Sequence, residues 1–136
     1  MIVKQLTVFV ENKAGNLSEI TELLAANGVD MRALSIADTK YFGILRLIVD
    51  EPERATKVLK ANGLIGTITE VVGVEIPNRT GELSKALALL AEKGQNVEYL
   101  YAFLAGTKDF ANVVIKAADN SAAVKILQDA GFKGIE

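Results

Sequence analysis

Cysteine, histidine and tryptophan are absent from the sequence. Without cysteine there is no disulfide, no thiol nucleophile and no thiolate ligand for zinc or iron. Without histidine the imidazole base and the commonest metal ligand are missing as well. No metal site and no cofactor is therefore expected. Long hydrophobic runs are also lacking: apolar stretches such as Leu87 to Ala91 and Gly43 to Val49 fall far short of the roughly 20 residues that span a bilayer. Met1 leads straight into an alternating strand pattern rather than a secretion signal, so no membrane partner and a cytoplasmic location are expected. Charge of one sign is missing too. The 15 basic residues are scattered among 17 acidic ones, for a net charge of −2. No positive field draws in phosphate backbones or anionic lipid, and nucleic acid is not an expected partner.

What is present is apolar. Half of the 136 residues are hydrophobic, with only two prolines, which is ample material for a packed core. Length alone allows one medium domain or two very small ones.

An internal repeat decides between them. Val10-Glu11-Asn12-Lys13-Ala14-Gly15-Asn16-Leu17-Ser18 aligns with Ile76-Pro77-Asn78-Arg79-Thr80-Gly81-Glu82-Leu83-Ser84, and the same offset carries Gly28 onto Gly94, Asp30 onto Asn96 and Met31 onto Val97. Beyond a two-residue insertion, Ala55, Val58, Leu59 and Gly63 match Ala123, Ile126, Leu127 and Gly131. Each half thus carries its own set of periodic segments. Two modules are expected, 1–70 and 71–136, with the boundary near Glu70.

Each half reads strand, helix, strand, strand, helix, strand. Leu6, Val8 and Val10 alternate with Gln5, Thr7 and Phe9, the period of a strand with one face in a core. Leu17, Ile20 and Leu24 recur at helical spacing until Gly28 stops them. Arg32 to Ala37 and Gly43 to Val49 form a hairpin joined by Asp38-Thr39-Lys40. Pro52 suits the first turn of a second helix, where Glu51 or Asp50 caps it or complements its dipole, and which carries Ala55, Val58 and Leu59 and ends at Gly63. The second half repeats this with Val72, Val74 and Ile76; Leu83, Leu87 and Leu90; Val97 to Phe103; Phe110 to Ala117; and a helix from about Ser121 to Ala130. Its last strand is expected to be short or missing, because only five residues follow Gly131. A βαββαβ unit with helices on one face of an antiparallel sheet is the ferredoxin-like arrangement, an α+β architecture that hosts many functions.

The repeated Asn-x-x-Gly-x-Leu loop lies between a first strand and a helix N-terminus, where free backbone N–H groups and the positive end of the helix dipole suit a carboxylate. Glycine lets the backbone turn tightly, and the amide of Asn12 or Asn78 both donates and accepts hydrogen bonds. A purely structural reading also accounts for such a loop: Asn satisfies its own turn and Gly solves a backbone problem.

These two loops, Asn12-Lys13-Ala14-Gly15-Asn16-Leu17 and Asn78-Arg79-Thr80-Gly81-Glu82-Leu83, set on two βαββαβ units, resemble the ACT domain, and specifically small stand-alone proteins made of two ACT modules. The resemblance spans about the whole chain. It implies modules paired side by side in a continuous sheet, with an amino acid held between the first loop of one module and the second strand of its neighbour. Carried over, it implicates Asn12, Ala14, Gly15, Asn16 and Leu17, and in the second copy Asn78, Thr80, Gly81, Glu82 and Leu83. From the second strands it implicates Asp30, Met31, Asn96 and Val97. Ala14 and Thr80 stand where the family often has Pro.

Selectivity would be set where the halves differ. Asp30 is the better ammonium partner than Asn96, and Tyr99 and Tyr101, in place of Ala33 and Ser35, either wall an apolar ligand or pack the sheet surface. Lys13 and Arg79 are secondary candidates for assisting a carboxylate. Phe42, Ile44 and Ile48, with Phe110 and Val114, alternate with a helix-facing set of Leu45, Leu47, Val113 and Ile115. An apolar open face of that kind implies a partner, and a homodimer is the simplest one.

The function these features lead us to expect is a non-catalytic, allosteric regulatory sensor of a free amino acid, acting on a partner enzyme of amino-acid metabolism. A structural adaptor that docks on such an enzyme without a small ligand is the alternative. An RNA-binding ferredoxin-like module, suggested by Tyr41-Phe42-Gly43, lacks a basic surround. For an enzyme, no pair of acid–base groups sits on the repeated loop.

Overall fold

The computed structural model describes residues 1–11, 13–38 and 41–135. The order is β1 (Ile2–Glu11), α1 (Asn16–Ala26), β2 (Met31–Asp38), β3 (Phe42–Val49), α2 (Pro52–Ala61), β4 (Gly66–Pro77), α3 (Glu82–Glu92), β5 (Val97–Ala102), β6 (Phe110–Ala117), α4 (Asn120–Asp129) and β7 (Lys133–Gly134). The chain divides into an amino-terminal unit, Lys4–Thr69, and a carboxy-terminal unit of Met1–Val3 with Glu70–Glu136. Each unit is an antiparallel ferredoxin-like module with two helices. Among the described residues no helix is long and apolar enough to cross a membrane.

In the amino-terminal module the strands lie in the order β2-β3-β1-β4. Period-two alternation puts Leu6, Val8 and Val10 of β1 beside Leu45 and Leu47 of β3. The 3.6-residue period of the helices brings Ile20 and Leu24, then Ala55 and Leu59, onto that face, forming one buried cluster. The carboxy-terminal module, ordered β5-β6-β4, repeats it with Val72, Val74, Ile76, Val113 and Ile115 under Ala86, Leu90, Ala123 and Leu127. Each fully buried leucine contributes roughly 1.5–3 kcal/mol to keeping its layer closed. The sequence pattern places most of these elements to within a residue or so, but the last strand expected for the first half and the first strand expected for the second are one continuous β4. Phe103 falls outside β5, and Tyr41 precedes β3 rather than belonging to it. The Asp38-Thr39-Lys40 turn has Thr39 and Lys40 outside the described residues.

The remaining differences have local causes. At the start of α2, Pro52 takes the first turn and Glu51 the cap position, but no side chain caps the helix. Glu51 instead pairs with Arg54 at 2.6 Å, and Asp50 Oδ1 accepts from the Asp30 N–H at 3.0 Å. At the last strand, β7 pairs with β4 through Val74 and Glu75 only. The main chain of Met1 extends this edge: Gly73 N–H donates to the Met1 carbonyl at 2.7 Å, and Ile135 N–H to the Gly73 carbonyl at 3.2 Å.

The open apolar face expected from Ile48 and Val114 is not open at those residues, which are buried at 6% and 0% exposure. Val114 lies between Gly73 and Tyr101 in register, and the side chains of Val3 and Ile135 crowd the place a Cβ on Gly73 would take, at 3.1 and 3.2 Å. Phe42 and Phe110 do stay exposed on that face.

Candidate functional site

The two glycine loops have the same backbone. After β1 the chain turns through a bond from Lys13 N–H to the Glu11 carbonyl (2.9 Å), and after β4 through one from Arg79 N–H to the Pro77 carbonyl (2.8 Å). Asn16 N–H then donates to the Lys13 carbonyl at 3.3 Å, and Glu82 N–H to the Arg79 carbonyl at 3.2 Å. The helices open with Glu19 N–H to Gly15 and Lys85 N–H to Gly81, both 2.9 Å. Gly15 has φ 88° and ψ −14°, Gly81 φ 88° and ψ −9°. A Cβ at either would meet nothing within 4 Å, so the left-handed conformation, and not crowding, is what calls for glycine. Ala14 and Thr80 therefore reach the same turn without the ring of a proline.

Because glycine occupies both cap positions, neither helix receives a side-chain cap. The amides of Leu17 and Ser18, and of Leu83 and Ser84, are the second and third of their helices and have no intrahelical acceptor. They point out of the positive end of the helix dipole, an arrangement that can accept a carboxylate.

Around this shared backbone the side chains differ. Asn16 Nδ2 braces the first loop by donating to the Glu11 carbonyl at 2.9 Å, whereas its counterpart Glu82 accepts from Arg79 at 3.3 Å. Asn78 donates its N–H to the Asp109 carbonyl at 2.8 Å and its Nδ2 to the Lys108 carbonyl at 3.1 Å, tying the second loop to the β5–β6 connection. Asn12 lies outside the described residues. Lys13 Nζ sits 2.8 Å from Glu11; that hydrogen bond and charge hold the Glu11 carboxyl below its ordinary range and push the Lys13 ammonium up. Both secondary cations, Lys13 and Arg79, thus already face an acid of their own loop.

The second-strand residues sit elsewhere in each module. The Asp30 carbonyl accepts from Asp50 N–H and its own N–H donates to Asp50 Oδ1, while its carboxylate lies 3.7 Å from Arg32 Nε. Met31 is opposite Val49, and Val97 opposite Ala117; both pack against their cores. The Asn96 carbonyl accepts from Ala118 N–H at 2.9 Å. The end of β2 near the loop is the other one, where Asp38 pairs with Gly43 and Gly43 with Val10. At about 3.3 Å per residue, the length of β2 puts roughly 20 Å between Met31 and that end. A single module therefore does not bring its glycine loop to the start of its own second strand. Tyr99 and Tyr101 stack with centroids 6.5 Å apart, and Tyr101 is buried opposite Val114.

Sequence reasoning missed Lys108, Asp109 and Phe110. With Pro77, Asn78 and Arg79 they line a cavity of about 550 Å³ at the second loop, which joins two cationic side chains, a carboxylate and an aromatic wall. The available signal was the two-residue insertion between Val97 and Phe110 relative to the first half. Among the described residues no group of three or more carboxylates is placed to hold a metal ion.

The chain matches the family model of the ACT domain pair over residues 1–133. It is similar to protein BT0572 from Bacteroides thetaiotaomicron, at 41% identity and a TM-score of 0.92, covering 99% of this chain and 92% of that one. It shares its fold with the ligand-free regulatory subunit of aspartate kinase from Thermus thermophilus, at 15% identity and a TM-score of 0.67 over 96% and 97% of the two chains. The corresponding subunit from Thermus flavus gives 16% and 0.65 over 96% and 95%. No curated protein matches the sequence.

Proposed function

The chain belongs to the ACT domain pair family, and we propose on that premise that it is a non-catalytic regulatory sensor of a free amino acid, recognised at its glycine loops. The observation that carries this reading is the coincidence of the two loops, Gly15 and Gly81 agreeing to within 5° in ψ with the same three backbone bonds around each. Each leaves helix N-terminal amides uncapped for an α-carboxylate. Since the loop and the start of the second strand lie at opposite ends within a module, a complete site takes them from different modules. One site would combine Asn12, Ala14, Gly15, Asn16 and Leu17 with Asn96 and Val97. The other would combine Asn78, Thr80, Gly81, Glu82 and Leu83 with Asp30 and Met31, where Asp30 supplies a charge for the ammonium.

A partner enzyme of amino-acid metabolism and a cytoplasmic location fit the same reading, as do the aspartate kinase regulatory subunits that share the fold. Calorimetric and thermal-shift titration against the twenty amino acids tests it. A ligand at a hundred times its dissociation constant adds about 2.7 kcal/mol of stability, and Asn78→Ala is expected to weaken the response. If no amino acid shifts the transition, the sensor reading fails and a ligand-free adaptor takes its place.

A further inference from the structure

A second cavity, of about 400 Å³, opens inside the amino-terminal module between the flank of α1, the end of β1 and the α2–β4 connection. It shares only Asn16 with the sites proposed above; the amides of Leu17 and Ser18 do not line it. Its floor is apolar, with Ile20 buried and Leu23 and Leu64 half-buried against the core. At its rim Phe9 and Ile65 are 55% and 70% exposed, apolar surface that a folded chain usually leaves in water only for a reason.

The charged groups of this cavity are acceptors. Glu11 and Glu19 bring carboxylates. The side chains of Asn16 and Asn62 each give one of their two Nδ2 hydrogens to a carbonyl, of Glu11 and of Val58, at 2.9 Å, and their amide oxygens add neutral acceptors. No Lys or Arg lines the cavity. Lys13 rests on Glu11, while among the described residues Glu19 makes no ion pair. The positive end of α1, about half a charge, is outweighed by the Glu19 carboxylate in its first turn.

The carboxy-terminal module supplies a control within the same chain. At the equivalent place Phe132 stands for Leu64, Lys133 for Ile65 and Lys85 for Glu19. The cavity there that keeps Pro77 and Gly131, the counterparts of Glu11 and Gly63, is about 290 Å³; its Glu75, Phe132 and Lys133 also line a neighbouring cavity of about 670 Å³. The fold by itself therefore does not impose a lining whose only charges are carboxylates.

We propose that the cavity of the amino-terminal module binds a small organic cation, an ammonium or guanidinium on a branched hydrocarbon body. The body lies against Leu23, Leu64 and Ile65, and the cation meets Glu19 and Glu11. The site is independent of the amino-acid reading of the glycine loops.

Titration of the ¹⁵N-labelled full chain with isopentylamine, and separately with 4-methylpentanoate, tests it by amide chemical shifts. The amine is expected to give saturable shifts at Leu23, Leu64 and Ile65, and the carboxylate none. Glu19→Gln should weaken the amine about fivefold, the size of one exposed ion pair. Leu64→Phe, which copies the other module, should abolish binding. Ile65→Lys, at an exposed position where folding is not at stake, should do the same and leave any amino-acid response at the glycine loops intact. Equal binding of amine and carboxylate, no saturable shift, or unchanged amine affinity in Ile65→Lys would overturn the proposal.

Discussion

In the amino-terminal module the glycine loop is braced by Asn16 reaching back to the Glu11 carbonyl, and its cation is held by Glu11. In the carboxy-terminal module the same two positions carry Glu82, which accepts from Arg79, and Pro77, which offers no charge; the loop is instead braced by Asn78 on the β5–β6 connection. Yet both loops hold glycine at φ 88°. What the two copies share is main chain, and what they have exchanged is side chains. That division suits recognition of a group common to all amino acids by backbone amides, with selectivity left to residues that differ between the halves.

The comparison is best stressed first in the cores, where the modules are most alike. Leu24 and Leu90 occupy equivalent positions and are both fully buried. Each Leu→Ala change is expected to cost about 2–5 kcal/mol, measured by denaturant unfolding. A large inequality between the two would show that one module carries the stability of the chain.

The loops themselves come next. Gly15→Ala and Gly81→Ala should each cost about 1–2 kcal/mol, because a Cβ meets no neighbour in either loop and only the backbone conformation resists. Asparagine, which tolerates left-handed backbone better, should restore part of the loss at both positions. Crowding in one loop alone would appear as unequal costs and no rescue.

The side-chain braces should then separate the modules. Asn78→Ala removes the Nδ2 bond to Lys108, an expected loss of about 1 kcal/mol, and should speed hydrogen exchange at residues 107–110. Asn16→Ala should leave those amides unchanged, since its bond is internal to the first loop.

The smallest effect concerns charge. Lys13 holds the Glu11 carboxyl below its ordinary range through a hydrogen bond and its charge. A carboxyl depressed in the folded state favours folding above its unfolded value, and that contribution fades as pH falls through the lowered folded value. Lys13→Ala should return Glu11 toward the ordinary range, read by NMR titration of its side-chain carboxyl. Pro77, at the matching place in the other module, has nothing to titrate.

Much of this architecture was legible because the repeat presents each element twice. Val8 and Val74, Leu24 and Leu90, Gly15 and Gly81 announce period, face and stop by local pattern alone. What stayed hidden depends on contacts far apart in sequence. The last carboxy-terminal strand is short, as the five residues after Gly131 allow, but that Met1, from the other end of the chain, also bonds to Gly73 was not legible. Val114 looked like an open-face residue because its neighbours Gly73 and Tyr101 come from other strands. The partners of Asn78 lie 30 residues downstream, in a connection whose extra length was visible but whose position beside the loop was not. Asp30 and Asn96 fall one residue before β2 and β5 rather than on them, and only the strand directions reveal that these strand starts are remote from the loop of the same module.

The most direct test of the central claim is an amide chemical-shift map of the full chain on addition of an amino acid that stabilises it. The largest changes are expected at Leu17, Ser18, Leu83 and Ser84, with smaller ones at Asp30 or Asn96. Saturable changes confined to residues remote from both glycine loops would contradict it.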